Sequence, residues 1–490
     1  MFFVLLSLFN IYFDFLIMWY IITAIFVIGS LYGLWLLFRK AGKKGWEAVV
    51  PFYREYVMAK LTARPTWWVF LLLVPIVNIF IFFGLYFDLL KSFGKRRFWE
   101  TVVATLFPFV YLPLWGRDPQ VKYLGQSHTE EFKKKYPYKK STAREWADAI
   151  IFATVAASLI RGFLIEAYMI PTGSMERRLL IGDFLFVSKL NYGPRVPMTP
   201  LAFPFAHHTM PLTGGKAYSE WIQLPYRRLP GFQDIKRNDV VVFNFPMEAD
   251  PPYNRPIDKR ENYIKRAVAI PGDVVEMHGG SLIINGQPGY DSNDVQHAYY
   301  VFTDQSGLSP QILKDKRIDY DFVRNEMGEP VGYIMHVTKE EIDEVKSWSN
   351  VKQVTPYENE SSAFPHDPNQ KWDFHNFGPL KVPTKGDVVE LNASTLPIYS
   401  RLITVYEGNT LEQRNDGIYL NGQKADRYTI QMNYYWMMGD NRDNSSDSRQ
   451  FGFVPEDHVV GKALFTWMSW DTDGSFLSKI RWNRIFKGIK

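Results

Sequence analysis

The stretch Asp239-Val240-Val241-Val242-Phe243 and the stretch Ser281-Leu282-Ile283-Ile284-Asn285-Gly286 determine the fold of the larger part of this chain. Both are short apolar runs bounded by turn residues, and similar runs continue from residue 170 onward. No long helical period interrupts them until Thr338–Trp348. Runs of this length and composition predict β-strands, mostly in antiparallel sheets. We therefore predict a mainly β domain of antiparallel sheets after residue 166.

One phrase occurs twice within this β region. Pro271–Glu276 and Lys385–Glu390 share the order Gly-Asp-Val-Val-Glu, and each is followed by an Asn-Gly pair, Asn285-Gly286 and Asn421-Gly422. Asn-Gly between apolar runs is a signal for a type I′ hairpin turn. The repeat therefore predicts two similar β-ribbons.

The sequence between the two ribbons is more polar and less regular, with a predicted helix at Thr338–Ser349. We interpret residues 290–380 as a subdomain inserted between strands of the main β domain. The predicted organisation is then, in chain order, a membrane region (1–146), an anchor helix running outward (147–166), a first β part (167–289), the inserted subdomain (290–380), a second β part (381–474) and a basic C-terminal tail (475–490).

The N-terminal third contains apolar segments that predict an α-helical, multi-span membrane region. A spanning helix needs about 20 apolar residues, and the candidates are Leu16–Phe38, Trp67–Leu90, Phe98–Trp115 and Ala149–Ile165. Basic residues at 133–140 precede the fourth segment and predict that it starts in the cytoplasm and runs outward. The basic loop 91–97 conflicts with the same rule, so either the third segment is re-entrant or interfacial, or one span is miscounted.

Composition excludes several classes of function. Lys and Arg number 56 against 51 Asp and Glu, a surplus too small and dispersed to predict nucleic-acid binding. Cysteine is absent, which excludes a thiol nucleophile, cysteine–zinc sites and disulfides. The N-terminus lacks the basic start and small-residue cleavage site of a removable signal.

A serine and a lysine stand in contexts that suit catalysis. Ser174, within Met169–Met175, follows the fourth apolar segment directly, and Lys265 lies inside the apolar run that continues to Ile270. A serine hydroxyl needs a base near neutral pH, and a lysine serves if burial lowers its pKa. None of the nine histidines shows a motif linking it to the serine. Taken singly, the lysine is more typical of the surface of an edge strand, and the Gly-Ser-Met sequence is more typical of a turn.

A third polar segment, Gly439–Arg449, is dense in Asp, Asn, Ser and Arg. Alone it is compatible with a calcium-binding or solvated loop, although it lacks the twelfth-position Glu of an EF-hand. Order and spacing of all three segments favour a single site.

Together these segments resemble type I signal peptidase, the bacterial leader peptidase. Ile170–Met175 with Gly182-Asp183 is similar to its nucleophile motif, and Tyr263–Arg266 with Pro271–Asp273 to its lysine motif. Gly439–Ser445 with Asp447–Arg449 is similar to its third motif. The resemblance covers Ala149–Lys189, Ile235–Gly286 and Tyr434–Asp471.

This resemblance implies a serine endopeptidase fold with an inserted subdomain, and specific roles for the matched residues. They are Ser174 as nucleophile, Lys265 as general base, the Ser174 N–H and Thr172 hydroxyl as oxyanion hole, Ser445 as the residue orienting the lysine, and Asp447–Arg449 and Asp440–Arg266 as site-shaping ion pairs. It implies no metal and no cofactor. Its implied partners are preprotein signal peptides and the lipid bilayer. The implied location is a bacterial cytoplasmic (inner) membrane, which the chain crosses several times, with the catalytic domain on the extracytoplasmic side.

The chain departs from the family pattern just after the serine. The family usually has Pro and then Thr or Ser at the positions occupied here by Arg177 and Arg178, before Leu179. Two arginines beside a lysine base are expected to disfavour its protonated form, line the substrate path or contact lipid head groups. Alternatives to signal-peptide cleavage are therefore a serine–lysine peptidase with a self-cleaving role, and a membrane-anchored scaffold derived from such an enzyme.

Overall fold

The computed structural model describes residues 2–74, 77–471 and 479–489, with side-chain surroundings from residue 20 onward. Two compact units are distinguished, Met1–Ala153 and Thr154–Lys490. The division falls inside one long helix, Thr142–Phe163. The predicted tail 475–490 lies outside the described residues at 475–478 and at 490.

The first unit is helical. Its helices are α1 (Phe2–Lys40), α2 (Tyr53–Thr62), α3 (Trp68–Leu71), α4 (Val77–Ser92), α5 (Phe98–Leu106), α6 (Pro108–Arg117), α7 (Glu130–Lys135) and the first half of α8 (Thr142–Phe163). Glycines allow α1 and α6 to pack closely: a Cβ on Gly33 would lie 2.4 Å from Leu112 Cβ, and one on Gly116 2.5 Å from Leu36 Cβ. Small residues at such a crossing are typical of membrane helix pairs.

Among the described residues, two helices are long and apolar enough to cross a membrane, Tyr20–Lys40 and Thr142–Phe163. They correspond to the first and fourth predicted segments. The third, Phe98–Trp115, is a pair of helices bent by 118°, which fits the re-entrant alternative or a broken span. The second, Trp67–Leu90, is divided between α3 and α4, and its Pro75 lies outside the described residues. The multi-span prediction thus reduces to two helices, or three if the bent pair is one span.

The second unit is mostly antiparallel sheet, as predicted. Its strands in the first half are β1 (Ile165–Met169), β2 (Asp183–Ser188), β3 (Val240–Asn244), β4 (Asn262–Ala269), β5 (Val274–His278), β6 (Ser281–Ile284), β7 (Gln287–Pro288), β8 (His297–Thr303), β9 (Asp319–Arg324) and β10 (Pro330–Val337). The later strands are β11 (Val351–Pro356), β12 (Phe377–Lys381), β13 (Val388–Glu390), β14 (Leu411–Arg414), β15 (Gly417–Leu420), β16 (Gln423–Lys424), β17 (Arg427–Thr429), β18 (Tyr434–Met438), β19 (Val454–Pro455), β20 (Val459–Ser469) and β21 (Lys487–Gly488). The short helices of this unit are α9 (Pro310–Asp315), α10 (Lys339–Lys346), α11 (Leu396–Arg401) and α12 (Ser448–Phe451).

The largest sheet has the order β1-β2-β20-β3-β4-β18-β19, with β21 paired to β20. β4 therefore lies between two neighbours, with Lys265 opposite Val241 of β3. Apolar side chains on one face of the sheet, including Val242 and Val187, join Met175 and Leu179 in one core. Those on the other face, including Val241 and Met437, form another. A lysine on such a strand is carried into the interior because both faces are covered.

Both predicted Asn-Gly turns are present. Asn285-Gly286 joins β6 to β7 and Asn421-Gly422 joins β15 to β16, with positive φ angles at all four residues. That is the geometry of a type I′ turn, which Asn and Gly tolerate because the left-handed region costs them least.

Residues 297–356 form a sheet of their own, in the order β11-β8-β10-β9. Its core includes Val301, Met335 and Val337, and it is covered by Leu313 of α9 and Val345 of α10. The α10 helix confirms the predicted helical segment, and it is capped by Thr338, whose hydroxyl accepts from the Glu341 N–H in a capping box.

The described part of the C-terminal segment returns to the large sheet. β21 pairs with β20, and the Arg484 guanidinium binds the buried Asp183 carboxylate at 2.5 Å and the Arg178 carbonyl at 2.8 Å. Residues 479–489 are thus packed against the segment that follows Ser174.

Candidate active site

Ser174 lies in a single turn of 3-10 helix, Gly173–Met175, between β1 and β2. Two backbone hydrogen bonds join the ends of the segment that contains this turn. The Ile170 N–H donates to the Asp183 carbonyl, and the Gly182 N–H donates to the Ile170 carbonyl. Met175 next to it is fully buried. The serine side chain is therefore held at the edge of the core, with the residue 8% exposed.

Lys265 reaches the serine from β4. Its Nζ lies 2.7 Å from Ser174 Oγ and 3.0 Å from the Ile264 carbonyl oxygen. The residue is 4% exposed, and its amine lies 5.4 Å from the centre of the Tyr263 ring. Residues 91 positions apart in sequence are thus in direct hydrogen-bond contact.

The surroundings of Lys265 lower the pKa of its amine and so make the neutral form more accessible. Burial lowers the pKa of this amine to about 8, against an opposing effect of the Asp447 and Asp440 carboxylates. Desolvation penalises the charged form, while a nearby carboxylate stabilises it, so here burial dominates. At pH 7, one unit below this value, about a tenth of the amine is neutral and able to accept a proton.

The third motif, Gly439–Arg449, forms a loop that donates hydrogen bonds to the backbone of the serine turn. The Asn441 N–H donates to the Ser174 carbonyl at 3.1 Å, and the Asn441 side-chain amide donates to the Gly173 carbonyl at 3.2 Å. A Cβ on Gly439 would lie 2.5 Å from the same Ser174 carbonyl oxygen, so only glycine fits without a shift. Sequence reasoning assigned no role to Asn441, although its place in the motif was a usable signal.

Both predicted ion pairs are present, and both are buried. Arg266 binds Asp440 with two contacts of 2.8 and 2.6 Å, and Arg449 binds Asp447 with two of 2.9 and 2.8 Å. Burial alone would raise the pKa of Asp447, but Arg449 and the Gly439 N–H hold it below its usual value. Such bidentate pairs fix loop geometry because the planar fork of arginine matches a carboxylate.

The carboxylates of this loop all have partners, which explains its density of acids. In addition to the two arginine pairs, Asp443 lies 2.6 Å from His375 Nε2. Across the described residues, no three His, Cys, Asp or Glu side chains come together in a cluster that fits a metal ion. The acidic residues of Gly439–Arg449 are thus engaged by basic side chains of the protein itself.

Ser445 and Thr172 are placed differently from the rest. Ser445 Oγ is buried and lies against Gly439, but within the described chain it makes no hydrogen bond of good geometry, to Lys265 or otherwise. It is close enough to Asp447 to help lower the pKa of that carboxyl. Thr172 is exposed, and its hydroxyl does not cap the serine turn.

The two arginines that depart from the family pattern are each paired. Arg177 Nη2 lies 2.5 Å from Glu341, and Arg178 Nη1 lies 3.4 Å from Asp294. The charges that act on Lys265 are instead those of Asp447 and Asp440. The expected repulsion between these arginines and a protonated lysine does not contribute appreciably to the pKa of Lys265.

Comparison with known proteins follows the same segments. The family described as signal peptidase, peptidase S26, matches residues 143–329 and 381–470, and a family of unknown function (DUF5684) matches residues 46–126. Signal peptidase I of Buchnera aphidicola subsp. Acyrthosiphon pisum is 28% identical over 333 residues, covering 68% of this chain and 77% of that protein. Signal peptidase I of Haemophilus influenzae is 26% identical over 369 residues, covering 75% and 81%.

A further relative extends the same result. Signal peptidase I of Pseudomonas fluorescens is 24% identical over 323 residues, covering 64% of this chain and 68% of that protein. The resemblance to type I signal peptidase, inferred from three short motifs, is confirmed. Because the family match spans more than half of the chain, the protein belongs to the signal peptidase family, peptidase S26.

Proposed function

We propose that this protein is a membrane-bound endopeptidase that removes N-terminal signal peptides from exported preproteins, with Ser174 as nucleophile and Lys265 as general base. The observation that carries this proposal is the 2.7 Å contact between the buried lysine amine and Ser174 Oγ. A nucleophile and base within 2.6–3.2 Å is the geometry that proton transfer requires.

The chemistry follows from these two groups. The neutral Lys265 amine takes the proton of Ser174 Oγ as the oxygen attacks the scissile carbonyl carbon. The tetrahedral oxyanion is stabilised by the Ser174 N–H and the Thr172 hydroxyl, a donor of this kind being worth about 3–4 kcal/mol. The carbon–nitrogen bond then breaks, and the lysine ammonium returns its proton to the leaving amine. Water, deprotonated by the same lysine, hydrolyses the acyl-enzyme and regenerates the serine.

The surrounding residues hold this pair in place. Asp440–Arg266 and Asp447–Arg449 fix the loop that carries Asn441 against the serine turn, without taking part in bond making. We assign to Ser445 the orientation of the lysine amine; its buried Oγ lies against Gly439 and makes no hydrogen bond of good geometry within the described residues.

Location supports the same function. The 22-residue helix Thr142–Phe163 is apolar and has no buried residues, as expected of a helix in contact with lipid. Eight residues from Glu166 to Ser174 span at most about 29 Å, so the serine stays near the bilayer on the extracytoplasmic side of a bacterial cytoplasmic membrane. A signal peptide presents its cleavage site just beyond its apolar segment, which is the same depth.

The domain assignment is proposed on the same basis. Residues 147–166 anchor the β parts 167–289 and 381–474, and residues 290–380 are an insertion. The separate sheet β11-β8-β10-β9 and its own core support the insertion, as does the gap in the family match at 330–380.

Cleavage of a preprotein with a small-x-small signal, mapped by mass spectrometry, tests the proposal. Detergent-solubilised wild type is expected to make one cut after the second small residue, and Ser174→Ala to make none. A Ser394→Ala variant, whose hydroxyl is on an exposed turn, serves as the control and is expected to cut normally. Failure of folded wild type to cut such a preprotein would support the scaffold alternative.

The pH dependence of kcat/KM gives a second prediction. Since the reactive form of Lys265 is the neutral amine and its pKa is about 8, activity should rise with pH and level off above that value. Below it, the rate should fall by about tenfold for each pH unit, because only the neutral fraction reacts. Single-turnover cleavage from pH 5 to 10 measures this profile. A flat profile across that range would rule out a lysine base.

A further inference from the structure

The turn that follows Ser174 is tied to the four-stranded sheet of residues 297–356 through charged side chains. Arg177 Nη2 lies 2.5 Å from Glu341 of α10 and donates to the Lys316 carbonyl at 3.2 Å. Arg178 makes a longer contact, 3.4 Å, to Asp294 just before β8. Two consecutive residues after the serine therefore bind this sheet and its approach.

The Arg177 backbone adopts a conformation that needs external support. Its φ is +68°, in the left-handed region that residues with a Cβ seldom occupy. Such a conformation is unfavourable for a residue with a Cβ and persists only where surrounding contacts hold it. The contacts of the Arg177 side chain with Glu341 and the Lys316 carbonyl provide that support.

The Glu341 side chain is ordered by the helix cap as well as by its contact with Arg177. Its Oε2 accepts from the Thr338 N–H at 2.9 Å in the capping box of α10, and its Oε1 faces Arg177. The two side chains are only 17% and 25% exposed. A carboxylate already ordered by a helix cap loses little further entropy on pairing, which distinguishes this contact from an ordinary surface salt bridge.

We propose that the Arg177–Glu341 pair fastens the Ser174 turn to the four-stranded sheet, and that both residues are positioning residues for the nucleophile. In this chain the four-stranded sheet thereby helps to hold the Ser174 turn in position. Glu341 lies in residues 330–380, outside the family match. The pair therefore joins an arginine that departs from the family motif to a residue beyond the matched ranges.

Hydrogen exchange and kinetics of five variants test the proposal on the full chain in detergent. Arg177→Ala removes the anchor, and Glu341→Gln removes the charge while keeping an oxygen for the helix cap. The double variant measures coupling between the two. Lys346→Ala is the matched control, because its pair with Asp343 lies on the same helix but is 51% and 73% exposed.

We expect each single variant to speed amide exchange in residues 173–181 by about tenfold, since the turn opens more often. kcat should fall by about tenfold or more with KM nearly unchanged, because misplacement of the nucleophile affects the reaction and not the binding. The double variant should resemble the singles, as coupled residues do. Arg177→Lys should restore part of the loss.

Unchanged exchange in residues 173–181 in Glu341→Gln, or additive losses in the double variant, would overturn the proposal. If Arg177→Ala fails to fold, Glu341→Gln decides, since it leaves the turn sequence intact. The kinetic arm rests on the proposed peptidase activity, whereas the exchange arm does not. If wild type has no peptidase activity but the variants still differ from it in amide exchange as expected, the proposed function is rejected. The proposed role of the Arg177–Glu341 pair is then retained.

Discussion

Replacing Lys265 with alanine is expected to lower kcat/KM on a preprotein by about 10²–10⁴-fold, the usual contribution of a general base. The amine that lies 2.7 Å from Ser174 Oγ would be gone, and the serine would lose the group proposed to take its proton. Lys265→Arg should be as inactive, because guanidinium stays protonated at every pH at which the enzyme is folded. Single-turnover cleavage at pH 9, above the lysine pKa, measures the loss.

Lys381→Ala and Lys381→Arg are the matched controls for this experiment. That lysine pairs with Asp387 on an exposed strand end, and both of its variants should cut at the wild-type rate. Retention of more than about a tenth of wild-type activity by Lys265→Arg would contradict the assignment, because an arginine is not able to serve as the base.

Replacing Asp440 with asparagine is expected to destabilise the protein by about 3–5 kcal/mol, as when one partner of a buried ion pair is removed. Arg266 and Asp440 are 0% and 1% exposed, so the guanidinium charge would lose its buried counter-ion. For a unit of this size the loss corresponds to a fall in melting temperature on the order of 10 °C. Thermal unfolding of the detergent-solubilised chain, followed by tryptophan fluorescence, measures it.

The same variant carries a second expectation. The Asp440 carboxylate supports the charged form of Lys265, so its removal should lower the pKa of the lysine and shift the pH profile to lower pH. Asp343→Asn, which breaks an exposed pair on α10, is the control and should cost at most about 1 kcal/mol. Equal stability of the two variants would show that the Arg266–Asp440 pair is not what holds the loop.

Local patterns in the sequence predicted most of what surrounds the lysine. An apolar run around Lys265 indicated a buried strand, and β4 lies between two neighbours with the lysine 4% exposed. Asn285-Gly286 and Asn421-Gly422 indicated tight turns because few residue pairs tolerate two positive φ angles. These are properties of a few adjacent residues, so a single sequence carries them.

Partnerships between distant residues were less accessible. Nothing near Arg177 in sequence indicates Glu341, and nothing near Asp183 indicates Arg484, because each partner comes from another part of the fold. Hydropathy gave four apolar segments, whereas two described helices, or three with the bent pair, are long and apolar enough to cross a membrane. Hydropathy measures apolar length, whereas the bend between α5 and α6 is a property of backbone geometry at Phe107-Pro108.

The strand order of the large sheet also bears on how the site is acquired during folding. β4 pairs on one side with β3, close in sequence, and on the other with β18, some 170 residues later. Pairing over such distances is slow, because the chain loses loop entropy before the contacts form. Ser174, between β1 and β2, and Lys265 of β4 are likewise brought together only when β20 pairs with both β2 and β3. A partly folded chain would lack proteolytic activity, and new molecules would gain it in the slowest step of their folding.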